Sequence, residues 1–415
     1  MIDKEKIFSF YVSQIQDNFF PYWQSKYDEK NQGILNCINN TGDQILSDQK
    51  FTWSQGRYLW ILSKLYQLTA ENVFCKISGE LLLKQMKGTK DFLLKYSLCP
   101  DGRCHFLLSR EGKPVIDPEL GRSDTSIFAD CFALIGLAAY IRVTGDQSCL
   151  NETERLFESI QKRIAQGDYL TEPYPVPEGY RMHSIPMILV NTSFEFAEMQ
   201  EACEIDSTKT IEYGLSKVSE ILNEFYRDGF IREHISTEEN YGLKLLDRHM
   251  NPGHTIEDVW FMAEFLQKYG ALDTQMEKLE LSALNAMEKG WDSVYGGLLR
   301  FVDRSGGMPV GEKGDSAYER LILDTWDMKL WWPHSEILYT TLLLYQLTDK
   351  VIYWEWYQRA FDYVFSVFPN TQIGEWIQIR QRDGTPQDKV VALPVKDPFH
   401  IMRNFIKIVE LTHED

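Results

Sequence analysis

The sequence predicts an all-α protein: a closed (α/α)6 barrel, or toroid, of about twelve helices with short β-hairpins on one rim, forming one domain over residues 1–415. Three observations lead there. A short Gly-led, strand-like stretch recurs as "GILNCINNTGD", "DGRCHFLLSREG", "DGFIREHIS", "GGLLRFVDRSG" and "GEWIQIRQRDG". It alternates with a Leu- or aromatic-rich helix that closes on a polar or Gly turn: "LYQLTAEN", "YIRVTGD", "LQKYGALD" and "LYQLTDK". No Pro-, Gly- or Ser-rich linker interrupts the alternation.

Successive copies lie roughly 65 to 80 residues apart, except for one double-length gap in which "GDYLTEPYPVPEG" stands near the missing place. Six units fit the chain. Each has room for two helices of ordinary length plus loops. Helices this apolar must bury a face, and a double ring of inner and outer helices satisfies all of them; an open superhelical solenoid is the alternative. The DG, EG and SG dipeptides are hairpin chemistry, because Gly tolerates positive φ. A closed ring has a central depression with its hairpins on one rim, where a site is expected.

The totals narrow the function. Hydrophobic residues make up 44% and aromatics 13%, ample core material, while the formal charge is −18 with no block of Lys and Arg. Neither nucleic acid nor an anionic membrane surface is therefore an expected partner. The start "MIDKEKIFSF" lacks a basic segment followed by an apolar run, so the expected location is the cytoplasm. The longest apolar run, "CFALIGLAAYI", is short of the ~20 residues that span a bilayer and reads as a buried helix. Seven cysteines without CxxC spacing read as reduced thiols rather than a disulfide frame or zinc site.

Four stretches place polar groups where the helical pattern wants apolar ones. "FTWSQGRYLWILSKLYQL" carries Arg57 into an apolar helix starting near Trp53; the guanidinium either snorkels to solvent or supplies fixed charge to an inner site. In "DRHMNPGHTIEDVWFM", His254 precedes Glu257 by three positions at the start of a helix whose spacing puts Asp258 on the wet side. Thr255 and Asp258 resemble a capping box, and His254 reads either as structural or as chemical. "KLWWPHSEILYTTLLLYQL" has Pro333 in a first turn and is then apolar all round, with Glu336 inside it. A buried carboxylate is costly unless partnered, so Glu336 is either paired with Arg or acting on a ligand. The final helix opens with His400 in "DPFHIMRNF". GxSxG, GxxxxGK[ST], strand-led GxGxxG and HExxH patterns are absent, which removes support for serine hydrolase, P-loop, Rossmann and zincin readings.

As a set, "WSQGRYLW", "NPGHTIEDVW", "KLWWPHSEIL" and "DPFHIMRNF", the last preceded by "GEWIQIRQRDG", resemble the N-acylglucosamine 2-epimerase family of sugar 2-epimerases and isomerases. The resemblance covers almost the whole chain and carries the (α/α)6 barrel with it. It implies that His254 and His400 are the acid/base pair, with Arg57, Glu257 and Glu336 as essential charged groups around them. It implies a sugar substrate against Trp53, Trp331 and Trp332. His183, in "YRMHSIPMILVN", stands where the cellobiose branch tends to carry a histidine and is expected at the substrate. "VKDPFH" departs from the Lys-Gly or Gly-Pro pair usual before the last histidine.

The implied reaction interconverts N-acetylglucosamine and N-acetylmannosamine: C2 of the open-chain sugar loses a proton on one face and regains one on the other. Imidazole suits both halves, since its ordinary pKa lies near neutrality. A carboxylate could orient each ring, and Arg57 could stabilise the negative intermediate, described as an enediolate. No cofactor or metal is required; the resemblance adds ATP as an allosteric activator and pairing as a homodimer. Mannose or cellobiose 2-epimerisation and aldose–ketose isomerisation are alternatives within the class. Outside it stand an inverting glycosidase using Glu257 and Glu336 and a non-catalytic helical interaction module.

Overall fold

The apolar spacing of each repeat resolves into a pair of helices in a computed structural model that describes residues 3–236, 242–391 and 393–413. The chain opens with α1 (Lys4–Ser13), prolonged by a π-helical turn, Gln14–Phe19, and a short helix, Phe20–Gln24. There follow α2 (Thr52–Ala70), α3 (Gly79–Phe92), α4 (Ile127–Thr144), α5 (Leu150–Gln166) and α6 (Ser184–Ala202). The second half holds α7 (Thr208–Glu220), α8 (Pro252–Tyr269), α9 (Leu272–Gly290), α10 (Trp331–Thr348), α11 (Val351–Val367) and α12 (Phe399–Thr412).

The even-numbered helices form the inner ring, each packing on the next, and α12 returns to α2 to close it. The odd-numbered helices form the outer ring: α3, α5, α7, α9 and α11 each back onto the preceding inner helix, and α1 backs onto α12. Closure of α12 on α2 excludes the open solenoid.

Inner and outer helices differ as their patterns require. Outer α5 buries one stripe, Thr153, Leu156, Phe157 and Ile160, at the spacing of a single helical face. Inner α4 is buried nearly all round and ends on Gly145 at φ +68, the left-handed conformation that Gly adopts without strain. The apolar run within α4 continues into an 18-residue helix of mean hydropathy 1.7, long and apolar enough by composition to cross a membrane, but here enclosed by the ring. Two glycines set its approach to α2. A Cβ at Gly56 would lie 2.1 Å from the Phe132 carbonyl oxygen, and one at Gly136 would lie 2.3 Å from that of Gly56.

The hairpin expectation needs correction. Among the described residues, two strand pairs are local hairpins, Tyr226–Arg227 with Phe230–Ile231 and Pro369–Asn370 with Glu375–Trp376. Four others join the strand before an inner helix to a strand beyond the next outer helix: Lys50–Phe51 with Leu107–Leu108, Tyr180–Met182 with His234–Ser236, His249–Met250 with Val302–Asp303, and Lys329–Leu330 with Ile379–Arg380. A bridge between Ser126 and Thr171 fills the same place where "GDYLTEPYPVPEG" interrupted the repeat. The Asp228-Gly229 turn closes the first of the local hairpins, whereas other Gly turns make single local bridges, such as Leu108 to Pro114 and Arg380 to Pro386. Strands of two or three residues have too few hydrogen bonds to stand alone, so each is completed by the far end of its own helix pair. Among the described residues this stitching stands at the N-termini of five of the six inner helices, all but α12.

Candidate active site

A cavity of about 230 Å³, largely apolar in its walls, opens among the first turns of the inner helices. Each inner helix sends at least one residue into it: Trp53 and Arg57 from α2, Phe132 from α4, Met187 from α6, His254 and Glu257 from α8, Trp331 and Trp332 from α10, and His400 from α12. Converging N-termini give the cavity a positive lean from the helix dipoles, favourable to an anion formed inside it.

His254 and His400, far apart along the chain, line this one cavity. The Trp332 ring stands beside both, with its centroid 5.1 Å from that of His254 and 5.7 Å from that of His400. Gly253 makes room for this indole, since a Cβ there would fall 2.6 Å from its edge. The helix start differs from the expected capping box: Asn251 is the N-cap, accepting from the His254 N–H, and Pro252 occupies the first position. His254 thus sits in the first turn of α8 with its ring free to face the cavity.

Each imidazole is held from behind by a carboxylate. His400 Nδ1 donates to Glu336 Oε1 at 2.7 Å. Glu336 is fully buried and also accepts from Arg403 Nη2 at 2.6 Å and from the Trp260 indole at 2.7 Å. The same Arg403 nitrogen donates to Glu257, whose carboxylate lies 3.6 Å from His400 Nδ1. Burial alone would raise the Glu336 carboxyl, but Arg403 and His400 hold it down at about 2. Glu257, Glu336 and His400 could in geometry ligate a metal, with donor atoms within 4.8 Å of one another, yet the Arg403 guanidinium already supplies the cation between the two carboxylates. Glu336 is therefore both the arginine-paired group and the support of His400.

Elsewhere on the cavity wall His254 Nδ1 donates to Glu233 Oε1 at 2.8 Å. Behind Glu233 lies His183, its Nδ1 3.9 Å from Glu233 Oε2 and its Nε2 2.8 Å from Asp258 Oδ2. Two expectations fail here for one reason. Asp258, expected in solvent, is fully buried, and His183, expected at the substrate, is 1% exposed and lies behind the cavity wall. The two groups consume each other, because inner-ring neighbours cover the helix face that the local pattern left polar. Burial would depress the His183 imidazole, but Asp258 and Glu233 override it and raise it to about 9.

Arg57 points inward rather than snorkelling. Its guanidinium lies 3.9 Å from the centre of the Phe132 ring and 5.3 Å from that of Trp53. Nη1 is 3.5 Å from Asp397 Oδ1, while Asp397 Oδ2 is 3.7 Å from His400 Nε2, so this carboxylate links the arginine to the histidine. His334, by contrast, is structural: its Nδ1 donates to the Leu330 carbonyl at 2.6 Å and its Nε2 accepts from the Leu298 N–H at 2.8 Å.

Sequence reasoning missed Glu233, Asp397 and Arg403. Arg403 was within reach, since it follows His400 by three positions and so shares its helical face. Glu233 lies in a strand-like segment with no periodic signal, and only the pairing of Tyr180–Met182 with His234–Ser236 delivers it to His254.

Fold and site together define the class: a toroidal protein with a pit lined by histidines, carboxylates and tryptophans where its inner helices begin. The family model described as N-acylglucosamine 2-epimerase (GlcNAc 2-epimerase) matches residues 33–403, and the chain belongs to that family of carbohydrate epimerases. It is 29% identical over 399 residues to the N-acylglucosamine 2-epimerase of Bos taurus, covering 94% of this chain and 88% of the relative. Its likeness to the Homo sapiens protein of the same name is 28% over 400 residues, covering 94% and 87%. A cellobiose 2-epimerase of Ruminococcus albus is 21% identical over 413 residues, covering 95% and 96%. Among solved structures, a sugar epimerase from a ruminal bacterium superposes with a TM-score of 0.77 at 19% identity, covering 97% of this chain and 98% of that one.

Proposed function

We propose that this enzyme interconverts N-acetylglucosamine and N-acetylmannosamine, with His254 and His400 exchanging the C2 proton of the open-chain sugar from opposite faces. The observation that carries this reading is the placement of both imidazoles on one cavity, beside the same Trp332 indole, each backed by a carboxylate. One ring removes the C2 proton, and the C–H electrons move into the C1 carbonyl. Because C2 of this substrate bears nitrogen, the intermediate is an enolate rather than an enediolate. Its oxygen draws on Arg57 and the converging helix N-termini, which stabilise charge that exists only in the intermediate and the transition states flanking it. The second imidazolium then protonates C2 from the other face, and solvent returns both rings to their starting states.

Arg57, Glu257 and Glu336 act here as charged surroundings, and Trp53, Trp331 and Trp332 as the apolar wall for the sugar. The inverting-glycosidase reading loses support. Glu257 and Glu336 share one guanidinium nitrogen, whereas inversion needs carboxyl groups ~6.5–9.5 Å apart with a water between them. We propose in addition that the enzyme requires no metal or organic cofactor, that ATP acts on it as a regulator, and that it works as a cytoplasmic homodimer.

The test is sugar NMR in D2O with N-acetylglucosamine, mannose and cellobiose, each with and without ATP. N-acetylmannosamine carrying deuterium at C2 is the expected product. Absence of that exchange, or faster formation of a ketose from mannose, overturns the proposal.

A further inference from the structure

We infer that Glu233 is the residue that positions His254, and that the buried His183–Asp258 pair behind it sets the charge state of Glu233. The inference rests on the acid/base reading of His254 and extends it to Glu233, which borders the cavity, and to His183 and Asp258, which lie behind it.

The argument is one of charge. Glu233 and Asp258 are 3% and 0% exposed, and among the described residues neither is paired with Lys or Arg. A buried carboxylate without a cation is strongly unfavourable. Among the described residues, the only cations within ion-pair distance of these two carboxylates are the imidazoles of His183 and His254. His183 lies between the two carboxylates with one ring nitrogen toward each, so only its doubly protonated form offers an N–H to both. Its raised pKa agrees with that placement. With one positive charge fixed behind it, Glu233 remains a carboxylate, and it is held well below its ordinary range against burial by His254 and His183.

An ionised Glu233 at 2.8 Å then selects the His254 tautomer. Nδ1 must carry hydrogen, which leaves Nε2 as the nitrogen available to the cavity. The other titratable neighbours are His234, His249, Tyr318 and Glu257. Burial keeps the His234 imidazole down at about 3 and also lowers His249, so neither competes as a cation.

The experiment combines kinetics with ring 15N NMR of histidine-labelled protein. In the wild type at pH 7.5, His183 should show both ring nitrogens protonated and His254 should show hydrogen on Nδ1. Glu233→Gln should lower kcat for C2 exchange by about 10²-fold, at the lower end of what acid/base positioning supplies, with KM within about twofold. His183→Gln should lose kcat in the same way, and His183→Gln with Asp258→Asn, which removes one charge of each sign, should recover at least tenfold of that loss. A neutral His183, a His254 protonated on Nε2, or a Glu233→Gln enzyme with unchanged kcat would overturn the inference. If the wild type fails to epimerise N-acetylglucosamine, the proposed function falls, while the ring spectra still decide the relay.

Discussion

On the His400 side of the cavity, the carboxylate that holds the imidazole is neutralised by Arg403; on the His254 side, the corresponding carboxylate has His183 in place of an arginine. The pattern is otherwise shared: Nδ1 donates to a buried glutamate, and a second carboxylate, Glu257 or Asp258, lies against the same cation. The two walls differ in the permanence of that cation. A guanidinium stays charged at every pH an enzyme meets, whereas an imidazolium can release its proton. They also differ in exposure, since the His254 side chain is 24% accessible and that of His400 10%. One wall is thus sealed and insensitive, the other more open and titratable.

The comparison breaks most sharply if the two histidines are not equivalent in need. His254→Asn and His400→Asn should each cut C2 deuterium exchange by roughly 10²–10⁴-fold with the circular dichroism of the wild type retained. A variant retaining most of its exchange would remove that ring from the chemistry.

Arg403→Leu leaves Glu257 and Glu336 facing each other without a cation and should destabilise the fold by about 3–5 kcal/mol, the range for breaking a buried pair. Urea denaturation measures this. A loss under about 1 kcal/mol would mean that Arg403 does not carry the His400 wall.

The pH response should separate the walls without any mutation. His183 has its pKa raised to about 9 from an ordinary 6.5, so its contribution to stability is fully present below about pH 6.5 and is lost as pH rises through 9. Glu336 is lowered to about 2 from 4.5, so its contribution is present above about pH 4.5 and is lost as pH falls through 2. Thermal melts from pH 7 to 10 should therefore show a decline that His183→Gln abolishes, and melts from pH 5 to 2 a separate decline that His183→Gln leaves in place.

The smallest effect concerns the shared indole. In Gly253→Ala the new methyl would meet Trp332 at 2.6 Å, and relief by displacement of the ring should cost about 1–3 kcal/mol, as overpacking does. KM should rise more than kcat falls, because the wall for the sugar moves while the carboxylates behind the histidines do not.

How much of this was legible in the chain differs by kind of signal. Helical spacing is local, so the repeats and the inner helix around Glu336 could be read from a few turns of sequence, whereas Arg57 stood open between solvent and an inner site until the Phe132 and Trp53 rings were seen around it. Strand pairing is not local. The start of "DGFIREHIS" forms half of a local hairpin as its DG turn predicts, but its end, His234–Ser236, pairs with Tyr180–Met182 across an entire helix pair, and that pairing is what carries Glu233 to His254. Asp258 shows the limit of periodicity: its helix was read correctly, but the polar face was assigned to water because nothing local announces that His183 covers it.

The sequence by itself determined that six helix pairs must bury their apolar faces, and it marked, through motif and spacing, where imidazoles and carboxylates enter those helices. Only the tertiary structure decided which carboxylate serves which imidazole and what neutralises each. Burial makes those pairings obligatory, since a charge removed from water must find its counter-charge. Ring closure chooses the partner, because it brings together segments as distant as residues 57, 254, 336 and 400.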